Sequence, residues 1–172
     1  MIQAARFGFG LMQSTLPDLD TIAAHIEIYR SHMKEAPAPY NQNPAFGEVD
    51  VARLVYVAPT DAQAKAESEE GVVRHVKSFI SNGTGRYFGE VTADRDDSAL
   101  SYDHLVKNTL LHGSPETVIR KIEEFRAIGT TSIMLHYPPY YGPERIAAML
   151  RLFAKEVLPH VQALEAPRLA AE

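Results

Sequence analysis

The feature that most constrains this chain is a short apolar or β-branched run that occurs three times, each time next to turn chemistry and a helix-period stripe. Phe7 to Gln13 is the first run, too short for a helix and flanked by polar residues, so it reads as a buried strand. Ser14, Thr15, Pro17 and Asp18 then supply a helix start, and Leu19, Ile22, Ala23, Ile26, Tyr29 and Met33 recur at helical spacing. The second run, Ala52 to Ala58, ends at Pro59; Thr60 and Gln63 stand in capping-box spacing and predict a helix from Asp61 to about Ile80. The third, Thr131 to His136, is closed by Pro138 and Pro139. It follows a helix that Ser114-Pro115-Glu116 announces through a serine cap, a proline at the first helical position and an acid at the positive helix end.

Strands separated by amphipathic helices need crossover connections, and strands joined that way pair in parallel. The expected fold is therefore α/β, with three parallel strands in a single domain spanning residues 1–172. Ile146, Leu150, Phe153, Val157 and Val161 predict one last long helix. Residues 36–47, rich in proline and asparagine, read as a loop, and Asn82-Gly83-Thr84-Gly85 as a helix stop. Residues 83–112 read as an irregular insertion with a short helix from Tyr102 to Leu111, and Asp94, Asp96 and Asp97 within it as a solvated loop.

Composition excludes several function classes. Seventeen lysines and arginines against 22 acids give a net charge of -5, so there is no positive field to hold a nucleic acid. No uncharged apolar run approaches the roughly 20 residues of a membrane span, and the N-terminus does not read as a secretion signal. With no cysteine, disulfides and thiolate chemistry are ruled out, which is compatible with the expected cytoplasmic location. His104 and His112 lie eight apart without a carboxylate pattern, and the expectation is no metal. Gly8 and Gly10 open a dinucleotide fingerprint that the following Leu11-Met12-Gln13 does not complete.

Three segments taken together resemble the C-terminal part of the luciferase-like, flavin-dependent monooxygenase family: Val57-Ala58-Pro59-Thr60-Asp61 before an alanine-rich helix, Gly113-Ser114-Pro115-Glu116 before the last strand, and Glu156-Val157-Leu158-Pro159 at the end of the final helix. The resemblance implies a (β/α)₈ barrel of which this sequence carries about the last three strand-helix units, with the first five strands lacking a counterpart. It also implies reduced FMN as cofactor, favoured over a deazaflavin because FMN users are widespread in the family, and oxidation of a small organic substrate by O₂. The alternative is a non-catalytic partial-barrel interaction protein, or one half of a split enzyme. In either case an open sheet would need a complementary half-barrel chain or a homo-oligomer to cover it.

In such a barrel the functional groups sit where strands end. His136 is then the candidate catalytic residue, an imidazole able to hydrogen-bond a flavin or move a proton, or else a histidine hydrogen-bonded in a loop. Ser14 and Gln13 are the candidate cofactor-binding residues, with a helix cap as the other role for the serine. Tyr137 and Tyr140 are candidates for walling a substrate pocket, or for packing the loop around Pro138 and Pro139.

Overall fold

The computed structural model describes residues 1–81 and 100–163. The chain order is α1 (Ile2–Arg6), β1 (Leu11–Gln13), α2 (Leu19–Met33), β2 (Val49–Val57), α3 (Asp61–Ser81), α4 (Tyr102–Asn108), β3 (Leu111–Gly113), α5 (Pro115–Ala127), β4 (Ser132–His136), α6 (Pro143–Leu152), a π turn (Phe153–Val157) and α7 (Leu158–Gln162). The sheet is parallel throughout, and β2 is the strand that pairs with all three others: with β1 through Val49–Val51, with β4 through Asp50–Leu54, and with β3 through Val55–Val57. A parallel α/β architecture follows from the alternation of strands and helices, as the sequence led us to expect.

The number of strands departs from that expectation. A fourth strand, Leu111–Gly113, lies inside the stretch read as irregular, and the short helix expected to reach Leu111 ends at Asn108. Tyr102–Asn108 and Leu111–Gly113 are thus regular structure, whereas the acidic cluster at Asp94 to Asp97 and the Asn82-Gly83-Thr84-Gly85 stop fall outside the described residues. The first strand also starts later than Phe7. Residues 2–6 form a helical turn, Gly8 adopts φ +67°, and extended structure begins only at Leu11. Gly8 is required there: a Cβ would stand 1.9 Å from the Tyr40 carbonyl oxygen.

The caps behave as their chemistry predicts. Asp18 accepts from the Thr21 amide at 2.9 Å, Thr60 from the Gln63 amide at 3.1 Å and Ser114 from the Thr117 amide at 3.4 Å. Only half of the capping box at Thr60 forms, because the Gln63 side chain donates forward to Glu67. The last helix is broken by the π turn before Pro159, whose missing N–H and ring displace the regular ladder.

Alternation along the strands gives the sheet two different faces. Leu11, Val49, Val51, Val55, Val57, Ile133 and Leu135 pack with helix residues such as Ile22, Ile26, Val118, Ile122 and Phe125 in one apolar core. That face also holds a cation. Arg53, fully buried, donates to the carbonyls of Ser14 and Pro17, each at 2.8 Å, and its guanidinium lies 4.5 Å from the centre of the Phe125 ring. Burial pulls its pKa down and Asp18 opposes the shift.

Candidate functional site

The opposite face can be read row by row from the strand register. Met12, Asp50 and Ser132 are aligned across β1, β2 and β4, and Ser132 donates to the Asp50 carboxylate. Ala52 faces Met134, Leu54 faces His136, and Tyr56 faces His112. Met12 and Met134 are 56% and 52% exposed, so the first two rows open to solvent. The Tyr56 row is covered: Tyr141, from the turn Pro139–Tyr141, packs edge-on to Tyr56 with ring centroids 4.9 Å apart, and α3 lies behind it. A Cβ on Gly71 of α3 would come within 2.9 Å of the Tyr141 ring, so glycine permits the close approach.

His136 stands on the border between the open and covered rows, as the last residue of β4. Its ring is edge-on to that of His75 on α3, with centroids 5.5 Å apart. His75 also faces Tyr140 at 6.2 Å and Phe79 at 5.8 Å, and the Arg74 guanidinium sits 4.8 Å above the Tyr140 ring. Burial, and secondarily the neighbouring His136, pushes the His75 pKa below the ordinary imidazole value. Two of the residues singled out from the sequence, His136 and Tyr140, thus meet through a third that was not. Helical spacing held the signal for His75: Ala64, Ser68, Val72 and Val76 are the buried stripe of α3, and His75 lies beside it, three residues after Val72 and four before Phe79.

The two candidates at the end of β1 lie outside this cluster. Gln13 is buried, and its side-chain oxygen contacts His25 Nδ1 of α2 at 2.9 Å, so it is turned toward the helix. Ser14 is half-buried just after β1, and its carbonyl is held by Arg53. Tyr137 is partly exposed and Tyr140 more so.

A second polar group is centred on His112, which the sequence reading weighed only as a metal ligand and set aside. The ring is fully buried, with Nδ1 3.0 Å from Ser68 Oγ and 3.4 Å from the Tyr102 hydroxyl, and Nε2 3.1 Å from the Tyr141 hydroxyl. Desolvation, with a smaller contribution from Lys121, lowers its pKa to about 3, so it is neutral at physiological pH. Burial pushes the Tyr102 hydroxyl up to about 12 and raises that of Tyr141 as well. The arrangement is a satisfied core network that fixes α3, α4, β3 and the Pro139–Tyr141 turn to one another.

Comparison with known proteins decides the relationship. Residues 1–132 match the model of the luciferase-like monooxygenases. The chain belongs to that family. Among this family's curated members it is 30% identical over 158 residues to 3,6-diketocamphane 1,6-monooxygenase of Pseudomonas putida, covering 86% of this chain and 40% of that protein. It is 29% identical over 149 residues to 2,5-diketocamphane 1,2-monooxygenase 2 of the same organism, covering 79% and 41%. This luciferase-like chain therefore spans about two fifths of the length of the curated relatives it matches.

Among solved structures, it superposes with a TM-score of 0.67 and 26% identity on the oxygenating constituent of 3,6-diketocamphane monooxygenase from Pseudomonas putida, a type II Baeyer-Villiger monooxygenase in complex with FMN. That match covers 97% of this chain and 46% of the other. A tetrahydromethanopterin reductase from Methanopyrus kandleri, dependent on coenzyme F420, shares the fold at a TM-score of 0.56 and 17% identity, over 92% and 47% of the two chains. No helix among the described residues is long and apolar enough to cross a membrane.

Proposed function

We propose that this luciferase-like chain supplies the C-terminal part of the barrel of a flavin-dependent monooxygenase, with β1, β2 and β4 as its last three barrel strands and the face carrying Met12, Met134 and His136 as the inner wall. The observation that carries the proposal is the superposition of nearly the whole chain on the FMN-containing oxygenating constituent of a diketocamphane monooxygenase. FMN is the proposed cofactor and a small organic molecule the proposed substrate; the weaker likeness to a coenzyme F420 enzyme keeps a deazaflavin as the competing choice.

The residues present suit one wall of such a site. Met12 and Met134 offer exposed, polarizable apolar surface for a flat ring system, and the His75–His136–Tyr140 cluster sets polar atoms beside it. Bound reduced flavin would supply the oxygen chemistry. His136 would hydrogen-bond the cofactor or substrate and hold or pass a proton at its imidazole, with His75 fixing the ring's attitude. Ser14, at the end of β1, is the stronger cofactor contact of its pair, since the Gln13 side-chain oxygen is engaged by His25. Tyr140 and Tyr137 would flank the substrate.

A second reading is favoured by one observation: the exposed methionines on an open sheet face. Leaving a few hundred Å² of apolar surface in water costs several kcal/mol at roughly 25 cal/mol per Å². A complementary half-barrel chain or a second copy would cover it, and the chain would then act as half of a split enzyme or as an interaction protein.

Titration with oxidised and reduced FMN, with and without an N-terminal half-barrel polypeptide from a diketocamphane monooxygenase, tests the proposal. Weak or undetectable binding by the chain alone, rising when the other half is added, is expected. FMN binding that the added half leaves absent would defeat the flavin reading.

A further inference from the structure

We propose that the cleft between α3, α4 and α5 is a second binding site, for a small organic anion carrying a carboxylate or phosphate group, held by Lys121 and Lys107. The cleft has a volume of about 560 Å³ and shares no residue with the His75–His136–Tyr140 cluster. Ala62 and Val106 provide apolar lining, and Tyr102 and His112 border it with largely buried rings.

The charges in this cleft are unevenly matched. Each of its three acids already has partners: Asp103 pairs with Lys65 at 2.7 Å, Glu124 with Arg120 at 3.0 Å, and Asp61 accepts from the Ser114 amide at 2.6 Å and the Thr117 hydroxyl at 3.1 Å. Lys107 and Lys121 have no carboxylate within 4.0 Å among the described residues. Lys121 is half-buried, and its ammonium donates to the Val106 carbonyl in the last turn of α4. That contact caps the helix but uses one of three N–H donors. Removal from water lowers the Lys121 pKa, and Glu124 and Asp61 only partly oppose this. A half-buried ammonium that faces a cleft and has no counter-ion is a ready site for an anion. Lys107, exposed at the same cleft, supplies the second charge.

The test is competitive acetylation of the full chain by N-hydroxysuccinimidyl acetate, read at each lysine by mass spectrometry in phosphate, succinate or chloride of equal ionic strength. Lys34, outside the cleft, is the reference. Phosphate or succinate is expected to slow labelling of Lys107 and Lys121 together, by about tenfold at ten times the dissociation constant, and chloride to have no such effect. Protection by phosphate alone assigns a phosphate-bearing ligand, by succinate alone a carboxylate, and by both the shared chemistry. The exposed Lys107→Gln variant should fold normally and lose most of the protection at Lys121. Equal labelling in all three salts, or Lys121 protection unchanged in Lys107→Gln, overturns the proposal.

Discussion

His75 of α3 and His136 of β4 stand edge to face with ring centroids 5.5 Å apart, so a helix and a strand distant in sequence share one aromatic contact at the end of the sheet. Because His136 contributes to the depression of the His75 pKa while burial contributes more, the two causes can be separated. In His136→Asn, the His75 imidazole resonances should titrate at higher pH than in the wild-type chain, yet still below the ordinary value of about 6.5. An NMR titration that places His75 identically in both proteins would show that the rings are not coupled.

His112 predicts the acid behaviour of the fold. Its folded pKa is depressed to about 3, whereas the unfolded chain titrates near 6.5, so below that value the unfolded state binds a proton that the folded state refuses. Stability should therefore fall as pH drops from about 6.5 toward 3, losing roughly 3 kcal/mol between pH 6.5 and 4 through this group alone. Urea unfolding of wild type and His112→Gln across that range checks the sign. The variant should start less stable at neutral pH, through lost hydrogen bonds to Ser68 and Tyr141, and show a shallower decline.

Arg53 fastens the β1–α2 connection by binding two carbonyls from inside the core. Arg53→Met keeps most of the side-chain volume but leaves the Ser14 and Pro17 carbonyls without their donor. The expected cost is about 2–4 kcal/mol. Calorimetry should show a lower melting temperature, and hydrogen exchange should speed up at residues 14–18. An unchanged melting temperature would mean that the buried cation contributes nothing net.

Gly8→Ala combines an unfavourable positive φ with a Cβ 1.9 Å from a backbone oxygen of Tyr40. Because a backbone carbonyl cannot rotate aside like a side chain, the α1–β1 junction must separate from the turn at Tyr40–Gln42. A loss of at least about 2 kcal/mol is expected in denaturant unfolding. Gly142→Ala is the control, since no atom lies within 4 Å of its Cβ position, and only the backbone strain at φ +81° would be felt.

What the sequence made legible was local. Ser114-Pro115-Glu116 and Thr60 start helices because a cap needs only neighbours in sequence, and the long β2 run is recognisable from its β-branched residues alone. Leu111–Gly113 was not legible, because three residues are too few to alternate and its extended form is fixed by pairing with Val55–Val57. His112 illustrates the same limit. Its importance comes from Ser68, Tyr102 and Tyr141 arriving from three other elements, which nothing in its immediate sequence announces. At the candidate site, strand ends could be found from the pattern, giving His136, but not which helix would cross them, and so His75 was missed.

The central position of β2 also bears on how this chain reaches its fold. All strand pairing among the described residues passes through β2, and its longest partner, β4, pairs Asp50 with Ser132 across 82 residues of chain. Loops of that length close slowly, and among the described residues none of β1, β3 or β4 has another strand to hold on to meanwhile. During synthesis β2 leaves the ribosome before β4 and must keep one edge bare until residue 136 follows, an interval of several seconds at about 5–20 residues per second. The order of translation thus makes that waiting edge a point of exposure to aggregation or to chaperone capture before the core is complete.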